Sequence, residues 1–309
     1  MPGLFISAPS ATTAPPPGPV WTSCSHTWTD YLGDTWDISG RTSGVYLRAG
    51  VRGLGMPTYT RHADKSAAVA GSRWRGSIAE EREVFWPLHL FHGGGSQAWI
   101  EHNRHWWDTL NPDVTGTWTV LQPSGEARSL TLRFVDDGGY APDTSPELFG
   151  WASYGPTLVA EQPYWVGSRP ELKVFGAARE ARNYYGGDAG KGPLYYISPA
   201  SLRDVIDNPG DVPAWPRWIL RGPLTRAVVG VGSRMVEVPF TMAAGESLTI
   251  NSDPAEQTAV DNLGRDRTVN LGEVAWAPVP RGKEQPVSVT IVGAGTVTLE
   301  LRPLYNRAM

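Results

Sequence analysis

The chain has 309 residues, a formal net charge of −4 and an aromatic content of 10%. Its 35 glycines and 27 prolines make up about a fifth of the sequence, which is typical of many short strands joined by turns. The aromatic content excludes a disordered chain, and the charge does not favour nucleic acid or an anionic membrane as a partner. No apolar run approaches the ~18 residues of a membrane span, so no membrane insertion is expected. The single cysteine, Cys24, excludes an intrachain disulfide, and the length predicts roughly two domains.

Residues 1–20 contain the run Ala14-Pro-Pro-Pro-Gly-Pro19 and lack the positive charge that begins a secretory signal. This composition predicts a Pro-rich extended arm of polyproline type. Further on, the glycines of Gly50–Pro57 do not match a dinucleotide-binding fingerprint, because no helix pattern follows them. The next segment, Thr58–Ile78, is polar and interrupted by glycines, so no strand is predicted there.

Residues 81–134 carry the strongest pattern of the chain. Arg82–His92 is rich in aromatic and branched residues and predicts a strand, which the run Gly93-Gly-Gly95 ends. Ser96 is a suitable N-cap for a helix over residues 96–110, and Asn111-Pro112 stops it because proline cannot continue a helix. After the helix, Gly116–Leu121 and Ala127–Phe134 alternate across a glycine-containing loop and predict a hairpin.

The predicted helix is amphipathic, with tryptophans concentrated on one side. At 100° per residue, Trp99, Trp106 and Leu110 fall within about 40° of one another, and Trp107 lies on the adjoining flank. His105 falls on the opposite, polar side together with charged neighbours. A single convincing helix carried on a sheet is therefore the expected architecture of this half.

A shift in composition near residue 165 predicts a domain boundary. Eleven of the 14 tryptophans and all six histidines precede residue 166. The predicted domains are 21–165, a linker over 166–192, and an all-strand domain over 193–309. The run Tyr185–Gly192 within the linker superficially resembles a phosphate loop, but the glycine spacing fails and Gly-Pro follows where Ser or Thr and a helix are required.

The back half reads as a set of short antiparallel strands. Pro286–Val292 and Thr296–Leu301 alternate strictly and flank Gly293-Ala-Gly295, which predicts a hairpin. Three further candidate strands precede them: Trp215–Leu220, Met235–Phe240 and Glu246–Ile250. Several strands at this spacing indicate an antiparallel sandwich.

Histidines form the only arrangement that suggests a metal. His89, His92, His102 and His105 are spaced as two HxxH pairs, but a tetrahedral site needs all four to converge. His89 and His92 have opposite parity along a strand, and His102 and His105 lie on the helix side away from the tryptophans. Surface or interface histidines are the favoured interpretation, and no cofactor is expected.

Enzyme chemistry is not favoured by the remaining motifs. Carboxylates such as Glu83 and Asp136 read as solvated strand-end and turn residues, although a facing pair of the glycosidase type stays open as an alternative. No Gly-x-Ser-x-Gly elbow occurs. The abundance of Trp, Tyr and Arg favours protein interfaces, because large amphipathic side chains bury well there. The same residues could also stack on sugars, and a carbohydrate-binding module using Trp215, Trp218 and Trp276 is the alternative function.

Several segments together resemble the distal tail protein family of long-tailed, non-contractile bacteriophages. In the front half they are Gly50-Val-Arg-Gly-Leu54, Glu81-Arg-Glu-Val-Phe-Trp-Pro-Leu88, Gly116-Thr-Trp-Thr-Val120, Pro123-Ser-Gly-Glu-Ala-Arg128 and Pro163-Tyr-Trp165. In the back half they are Trp218-Ile-Leu-Arg-Gly-Pro223, Gly245-Glu-Ser-Leu-Thr-Ile-Asn-Ser-Asp253 and Val297-Thr-Leu-Glu-Leu-Arg-Pro-Leu-Tyr305. The excess of Arg over Lys, 23 to 4, fits minor tail proteins of phages that infect high-GC Gram-positive hosts. The resemblance covers residues 21–309.

The resemblance implies an all-β protein with one flanking helix. Its front domain would be a tail-tube-like β-barrel or sandwich that closes into a hexameric ring, and its back domain a galectin-like β-sandwich. The implied location is the distal tail tip of the virion, after synthesis in the host cytoplasm. There the ring would contact the tail tube protein, the tape measure protein, the tail hub or tail-associated lysin, and other tip proteins. The galectin-like shape does not by itself imply sugar binding.

A ring requires two different complementary patches on each subunit. We expect the helix 96–110 and the loop 44–57 to contribute to them, because the helix carries a broad tryptophan stripe and the loop is glycine-rich. The candidate ring-interface residues are Arg48, Trp99, His102, His105, Trp106 and Trp107.

Overall fold

The computed structural model describes residues 21–176 and 202–309, which build two hydrophobic cores. The front core draws on residues between Trp28 and Trp165, with Ala308 added from the far end of the chain. The back core draws on residues between Phe175 and Leu301. The predicted arm at 1–20 and residues 177–192 of the predicted linker lie outside the described residues.

The front body consists of twelve strands and two helices. The strands are β1 Ser25–Thr29, β2 Thr35–Asp37, β3 Val45–Leu47, β4 Tyr59–Ser66, β5 Val69–Ala79, β6 Arg82–Phe85, β7 Leu88–Phe91, β8 Gly116–Leu121, β9 Ala127–Asp136, β10 Trp151–Tyr154, β11 Thr157–Ala160 and β12 Trp165–Gly167. The helices are α1 Ser96–Asp108 and α2 Pro146–Phe149. Its largest sheet has the order β2-β1-β8-β9-β11-β6, and β12 joins it through β9. A three-stranded sheet, β10-β7-β3, and the β4–β5 pair complete the body.

The back body is a sandwich of two antiparallel sheets. Its strands are β13 Glu171–Gly176, β14 Leu202–Asn208, β15 Pro216–Arg221, β16 Leu224–Val231, β17 Arg234–Val238, β18 Ser247–Asn251, β19 Thr258–Asp261, β20 Gly282–Gly293 and β21 Thr296–Leu301, and a last strand, β22 Leu304–Tyr305, follows. One sheet has the order β13-β21-β15-β18-β19 and the other β14-β20-β16-β17. The all-β prediction is confirmed, and no closed barrel forms among the described residues.

Tryptophans fill the front core. Trp28, Trp86 and Trp118 are almost completely buried, and Trp86 meets the other two edge to face at ring-centroid distances of 5.2 and 5.4 Å. Such T-shaped pairs are favourable because the positive edge of one ring meets the negative face of another. Many of the tryptophans that suggested an interface are therefore core residues of the subunit.

The helix α1 is confirmed, with a corrected start. Its N-cap is Gly95, whose φ of +90° suits glycine, and Ser96, predicted as the cap, is its first residue and makes no capping bond. Leu110 and Thr109 follow the helix rather than belonging to it. A second helix of four residues, α2, was not predicted. Among the described residues no helix is both long and apolar enough to cross a membrane.

The single strand predicted over residues 82–92 is wrong in one respect. It is split into β6, which pairs with β11, and β7, which pairs with β3 and β10. The break falls at Trp86-Pro87, where proline has no N–H to donate to a ladder. The chain therefore changes sheets there, and β7 faces a different part of the surface from β6.

The predicted hairpin at Gly116–Phe134 is confirmed as β8 and β9, which pair in register from Gly116 to Leu121. The predicted hairpin at Gly293-Ala-Gly295 is wrong, because β20 pairs with β14 and β16 whereas β21 pairs with β13 and β15. The chain crosses between the two sheets of the sandwich at this point. A Cβ on Gly295 would come within 2.3 Å of the Arg221 carbonyl oxygen, so the crossing requires glycine.

Two segments cross the predicted domain limits. The predicted linker begins with sheet: β12 belongs to the front body, and β13 pairs with β21 in the back sandwich. At the other end, β22 pairs with β12, and Ala308 is buried in the front core. Residues 304–309, predicted as part of the back domain, therefore return to the front body. The division of the chain into domains with the predicted boundaries otherwise stays a prediction.

Candidate assembly surface

The helix tryptophans predicted at a ring interface lie inside the subunit. Trp106 is completely buried and Trp99 is 5% exposed, and Trp106 meets Trp36 edge to face at 5.3 Å. Their side chains are therefore not on a surface that a second copy could contact, which corrects their assignment as interface residues. The helix is amphipathic as predicted, but its tryptophan stripe faces the core of its own chain and not a second copy.

The other helix candidates lie nearer the surface. Trp107 is half-buried, with its ring 5.0 Å from that of Tyr154 and 6.2 Å from that of Phe134. His105 is exposed, although its ring lies 5.0 Å from that of Trp36. Among the candidate interface residues on the helix, His105 is the most exposed.

His102 is a half-buried member of a small histidine cluster. Its ring lies 5.3 Å from that of His92. Burial holds the pKa of His102 below its usual value, and the neighbouring charges of His92 and His105 lower this pKa further. In the ranges that the structure describes, no three or more His, Cys, Asp or Glu side chains are grouped so that they could hold a metal ion.

Arg48 lies beside a partly exposed aromatic surface, which we call the aromatic face. It is the outer side of the β3, β7 and β10 sheet, and its members are Tyr46, His89, Phe91 and Trp151. The pairing places Tyr46 opposite His89, and Trp151 opposite Phe91, so all four rings share one side of the sheet. The ring of His89 lies 5.1 Å from that of Tyr46 and stacks at 5.4 Å on that of Trp151.

The aromatic face forms one wall of a groove of about 410 Å³. Phe149 of α2, which is 62% exposed, also lines the groove, and Trp151 is 43% exposed. The guanidinium of Arg41 lies 5.6 Å from the ring centre of Tyr46. Burial lowers the pKa of His89, and the nearby Arg48 and Arg41 lower it further, so its imidazole is neutral near pH 7.

The second unusual surface is the pair β4 and β5, which we call the ribbon. Each of its strands pairs only with the other among the described residues. Trp74 and Ile78 on this ribbon are 54% and 61% exposed, and Arg61 lies over the ring of Trp74 at 5.5 Å. Because both faces are exposed, the sequence shows no apolar alternation, and no strand was predicted here. The branched and aromatic residues of Val69–Ala79 were the available signal.

Arg82 joins the loop that precedes the ribbon to other parts of the chain. It is 3% exposed, and its guanidinium donates to the carbonyl oxygens of Pro163 at 2.6 Å, Gly53 at 2.8 Å, Gly55 at 2.5 Å and Asn306 at 2.9 Å. Burial lowers the pKa of Arg82 to about 10. Arg82 has the same strand parity as the buried Val84, so an inward arginine was detectable from the sequence but was missed.

The three tryptophans of the alternative sugar-binding function offer no stacking platform. Trp218 is 2% exposed and belongs to the back core, and Trp215 and Trp276 are half-buried. A sugar ring needs an exposed aromatic face, so the geometry of these residues does not favour that function.

The fold of the whole chain is similar to that of solved phage tail proteins. The structure of the SPP1 Dit (gp 19.1) protein, described as a paradigm of the hub adsorption apparatus in phages that infect Gram-positive hosts, superposes with a TM-score of 0.60. The match has 12% identity and covers 91% of this chain and 99% of that chain. A chain of the phage P2 baseplate in its activated conformation with Ca gives a TM-score of 0.55 at 14% identity, with 91% and 98% of the two chains covered. The Sr form of that baseplate gives 0.52 at 13% identity, with the same coverage.

No family model matches the sequence, and no curated protein matches it either. The likeness therefore establishes a Dit-like fold, and at this identity it does not establish more.

Proposed function

We propose that this chain is a structural protein of a phage tail that forms a hexameric ring at the distal end and joins the tail tube to the tip proteins. The observation that carries the proposal is the Dit-like fold, which extends over both bodies and spans nearly the whole SPP1 protein. A similarity confined to one sandwich would be weak support, because such sandwiches serve many functions. Here the similarity extends over two dissimilar bodies, which occur in the same order as in the SPP1 protein.

The ribbon supports self-association. A two-stranded ribbon alone in water is marginally stable, and its free edges are templates for pairing with another chain. This ribbon leaves a tryptophan and an isoleucine exposed, and Arg75 with Asp64 forms an ion pair on its surface. Ribbons from neighbouring copies would cover these groups and satisfy the free backbone edges. We therefore place the ribbon in the ring contact.

A ring also needs a second patch that differs from the first. Arg48 is exposed beside the aromatic face, and His105 is exposed on α1, so both remain candidates for this patch. Only part of the His102 and Trp107 side chains is available to this patch, because both residues are half-buried. The flat ends of such a ring would contact the tail tube protein and tape measure protein on one side, and the hub or tail-associated lysin and other tip proteins on the other. The protein would work by contact rather than by catalysis, in the virion.

The test shortens the ribbon and measures assembly. Thr60 faces Ile78 in the ladder, so residues 61–77 can be replaced by Asn-Gly, a sequence that closes a two-residue hairpin turn. Native mass and negative-stain images of the full chain, alone and with its tail tube protein, are compared for the two forms. We expect six-fold rings from the natural chain and at least a ten-fold loss of rings from the shortened one.

The control is Val269→Ser in the back body, at a residue that is 92% exposed and distant from the ribbon in the chain. This variant is expected to assemble like the natural chain. Rings that form equally well without the ribbon would remove it from the contact. A natural chain that stays a single subunit even with the tail tube protein would contradict the ring itself.

A further inference from the structure

We propose that the groove beside the aromatic face binds the proline-rich arm, residues 9–19, of a second copy of this chain. The inference deepens the proposed function and rests on it, since it names a segment by which neighbouring copies would hold one another. It is carried by the chemistry of the groove and by the composition of the arm.

The groove has the shape and lining that suit a polyproline helix. Proline-rich segments dock in aromatic-lined grooves, because their flat rings pack on aromatic rings and the segment is already extended before binding. Tyr46, His89 and Trp151 form a continuous row across three strands, with centroid spacings of 5.1 and 5.4 Å. Phe149 adds a largely exposed apolar side chain to the lining of the groove.

The groove also offers hydrogen-bond donors without acceptors. Among the described residues, no hydrogen bond is formed by the indole N–H of Trp151, the hydroxyl of Tyr46 or the guanidinium of Arg41, which has no ion pair there either. A polyproline helix has no internal hydrogen bonds, so its carbonyl oxygens are free to accept. Donors on aromatic walls and free carbonyls on a proline-rich segment are therefore complementary.

The arm has the matching composition. Residues 9–19 include Pro9, the run Pro15-Pro-Pro17 and Pro19, and no side chain in residues 1–20 is charged. An uncharged segment can enter an aromatic groove without losing the hydration of an ion. An extended segment of this length spans roughly 35 Å at about 3.1 Å per residue, which is longer than the three-stranded sheet is wide.

The start of the described chain points to a second copy as the source of the arm. Trp21 is 91% exposed, so the residue that carries the arm makes little contact with its own subunit. We therefore take a neighbouring copy, rather than the same subunit, as the source of the arm. In a ring each groove would then hold one arm, and each subunit would both give and receive.

The test places a photo-crosslinker at the groove of the full-length chain. Phe149→p-benzoylphenylalanine is suitable because the residue is exposed and its replacement keeps an aromatic wall. Assemblies are prepared from equal amounts of ¹⁵N-labelled and unlabelled chains and irradiated, and the cross-linked peptides are identified by mass spectrometry. We expect cross-links from residue 149 to residues 9–19, with mixed isotope pairs that show the two ends came from different chains.

The matched control is Leu263→p-benzoylphenylalanine in the back body, a residue of similar exposure outside the proposed ring contact, which is expected to give at least ten-fold fewer cross-links to the arm. Replacing Pro15, Pro16 and Pro17 together by alanine should lower the yield at residue 149 at least five-fold, since the unbound arm then has more conformations to lose. This change lies in the arm, so the groove itself is unaltered.

Cross-links from residue 149 to another part of the chain, to the arm of the same chain only, or to nothing would each overturn the proposal. So would an alanine-substituted arm that cross-links as well as the natural one. Ring images separate this result from the proposed function. If rings form without arm cross-links, the arm proposal is rejected and the ring proposal is retained. If mixed-isotope cross-links form in assemblies smaller than a hexamer, the hexamer is rejected and the arm proposal is retained.

Discussion

Arg82 shows how one buried charge can be tolerated. Its guanidinium has five N–H donors in a planar fork, and four backbone carbonyls from separate segments accept from it. The acceptors belong to the loop at Gly53 and Gly55, to Pro163, and to Asn306 near the end of the chain. The residue therefore stabilises an arrangement of segments distant in sequence, although no carboxylate pairs with it in the part of the chain that the structure describes.

Replacing Arg82 by lysine tests this role. Lysine keeps the positive charge but places its donors on one nitrogen, which cannot reach carbonyls that surround a planar group. We expect Arg82→Lys to lower the free energy of unfolding by about 3 kcal/mol, because hydrogen bonds to a charged group are lost and carbonyls are left buried without donors. This loss is measured by urea unfolding, in which the variant and the natural chain should have the same m-value.

Arg226→Lys is the matched control. Arg226 donates to Glu237 at 2.7 Å at the surface, and an exposed pair of this kind contributes little. Its replacement should change the free energy of unfolding by less than about 0.5 kcal/mol. Equal losses from the two variants would show that the four-carbonyl arrangement has no special role.

Buried histidines give the front body a pH dependence whose sign is fixed. Burial lowers the pKa of both His26 and His102, so the folded state prefers their neutral forms more than the unfolded chain does. The stabilisation is complete above the unfolded pKa of about 6.5 and is lost as the pH falls below it. We expect the free energy of unfolding to decrease from pH 7.5 to pH 5, by at most about 1.4 kcal/mol per pH unit for each group.

His102→Gln should flatten this decrease, because glutamine has a similar shape and does not titrate. His62→Gln on the exposed ribbon should leave it unchanged. Urea unfolding at pH 7.5, 6 and 5 for the three proteins makes the comparison. A His102→Gln slope identical to that of the natural chain would show that protonation of this ring does not oppose folding.

At the scale of elements, local patterns predicted local structure. The hairpin β8–β9 follows from strict alternation and a short glycine loop, and α1 follows from its apolar stripe and the proline that ends it. Both signals lie within about 20 residues, where the chain determines its own geometry. Five strands of the back sandwich, β15, β17, β18, β20 and β21, were located for the same reason, whereas β13, β14, β16 and β19 were not predicted.

Partner choice between strands depended on distant residues and was not predictable in this way. Two alternating strands around Gly293-Ala-Gly295 look like a hairpin locally, yet β20 and β21 pair in different sheets. The ribbon was missed because its two exposed faces carry no apolar period. The tryptophans of α1 were placed correctly on one side of the helix, but they pack in the core of their own chain and not against a second copy. A buried aromatic stripe has the same sequence pattern in a core and in an interface.

On the scale of the molecule, the two bodies are tied together by the end of the chain. Leu304 bridges to Val212 of the back body, and the next residue, Tyr305, pairs with Trp165 of the front sheet. The ring of Tyr305 lies 3.7 Å below the guanidinium of Arg128. The C-terminal segment, residues 303–309, therefore contacts both cores.

Removing residues 303–309 should destabilise the front body more than the back one. The deletion removes the carbonyl of Asn306 that accepts from Arg82, the Arg307 carbonyl that accepts from Arg128, and the buried Ala308. We expect a loss of about 3 kcal/mol, which corresponds to a decrease of roughly 10 °C in the Tm of a body of this size. Tryptophan fluorescence reports mainly on the front core, which contains most of the tryptophans, and calorimetry separates the two transitions.

Tyr305→Phe controls for this deletion, because it keeps the ring over Arg128 and removes only a hydroxyl that donates no hydrogen bond within the described residues. Its Tm should lie within about 2 °C of the natural value. Calorimetry of the natural chain should show one cooperative transition, and the shortened chain two, with the front body melting first. A shortened chain that still melts in one step at the natural temperature would show that the interface between the bodies, rather than their shared C-terminal segment, couples them.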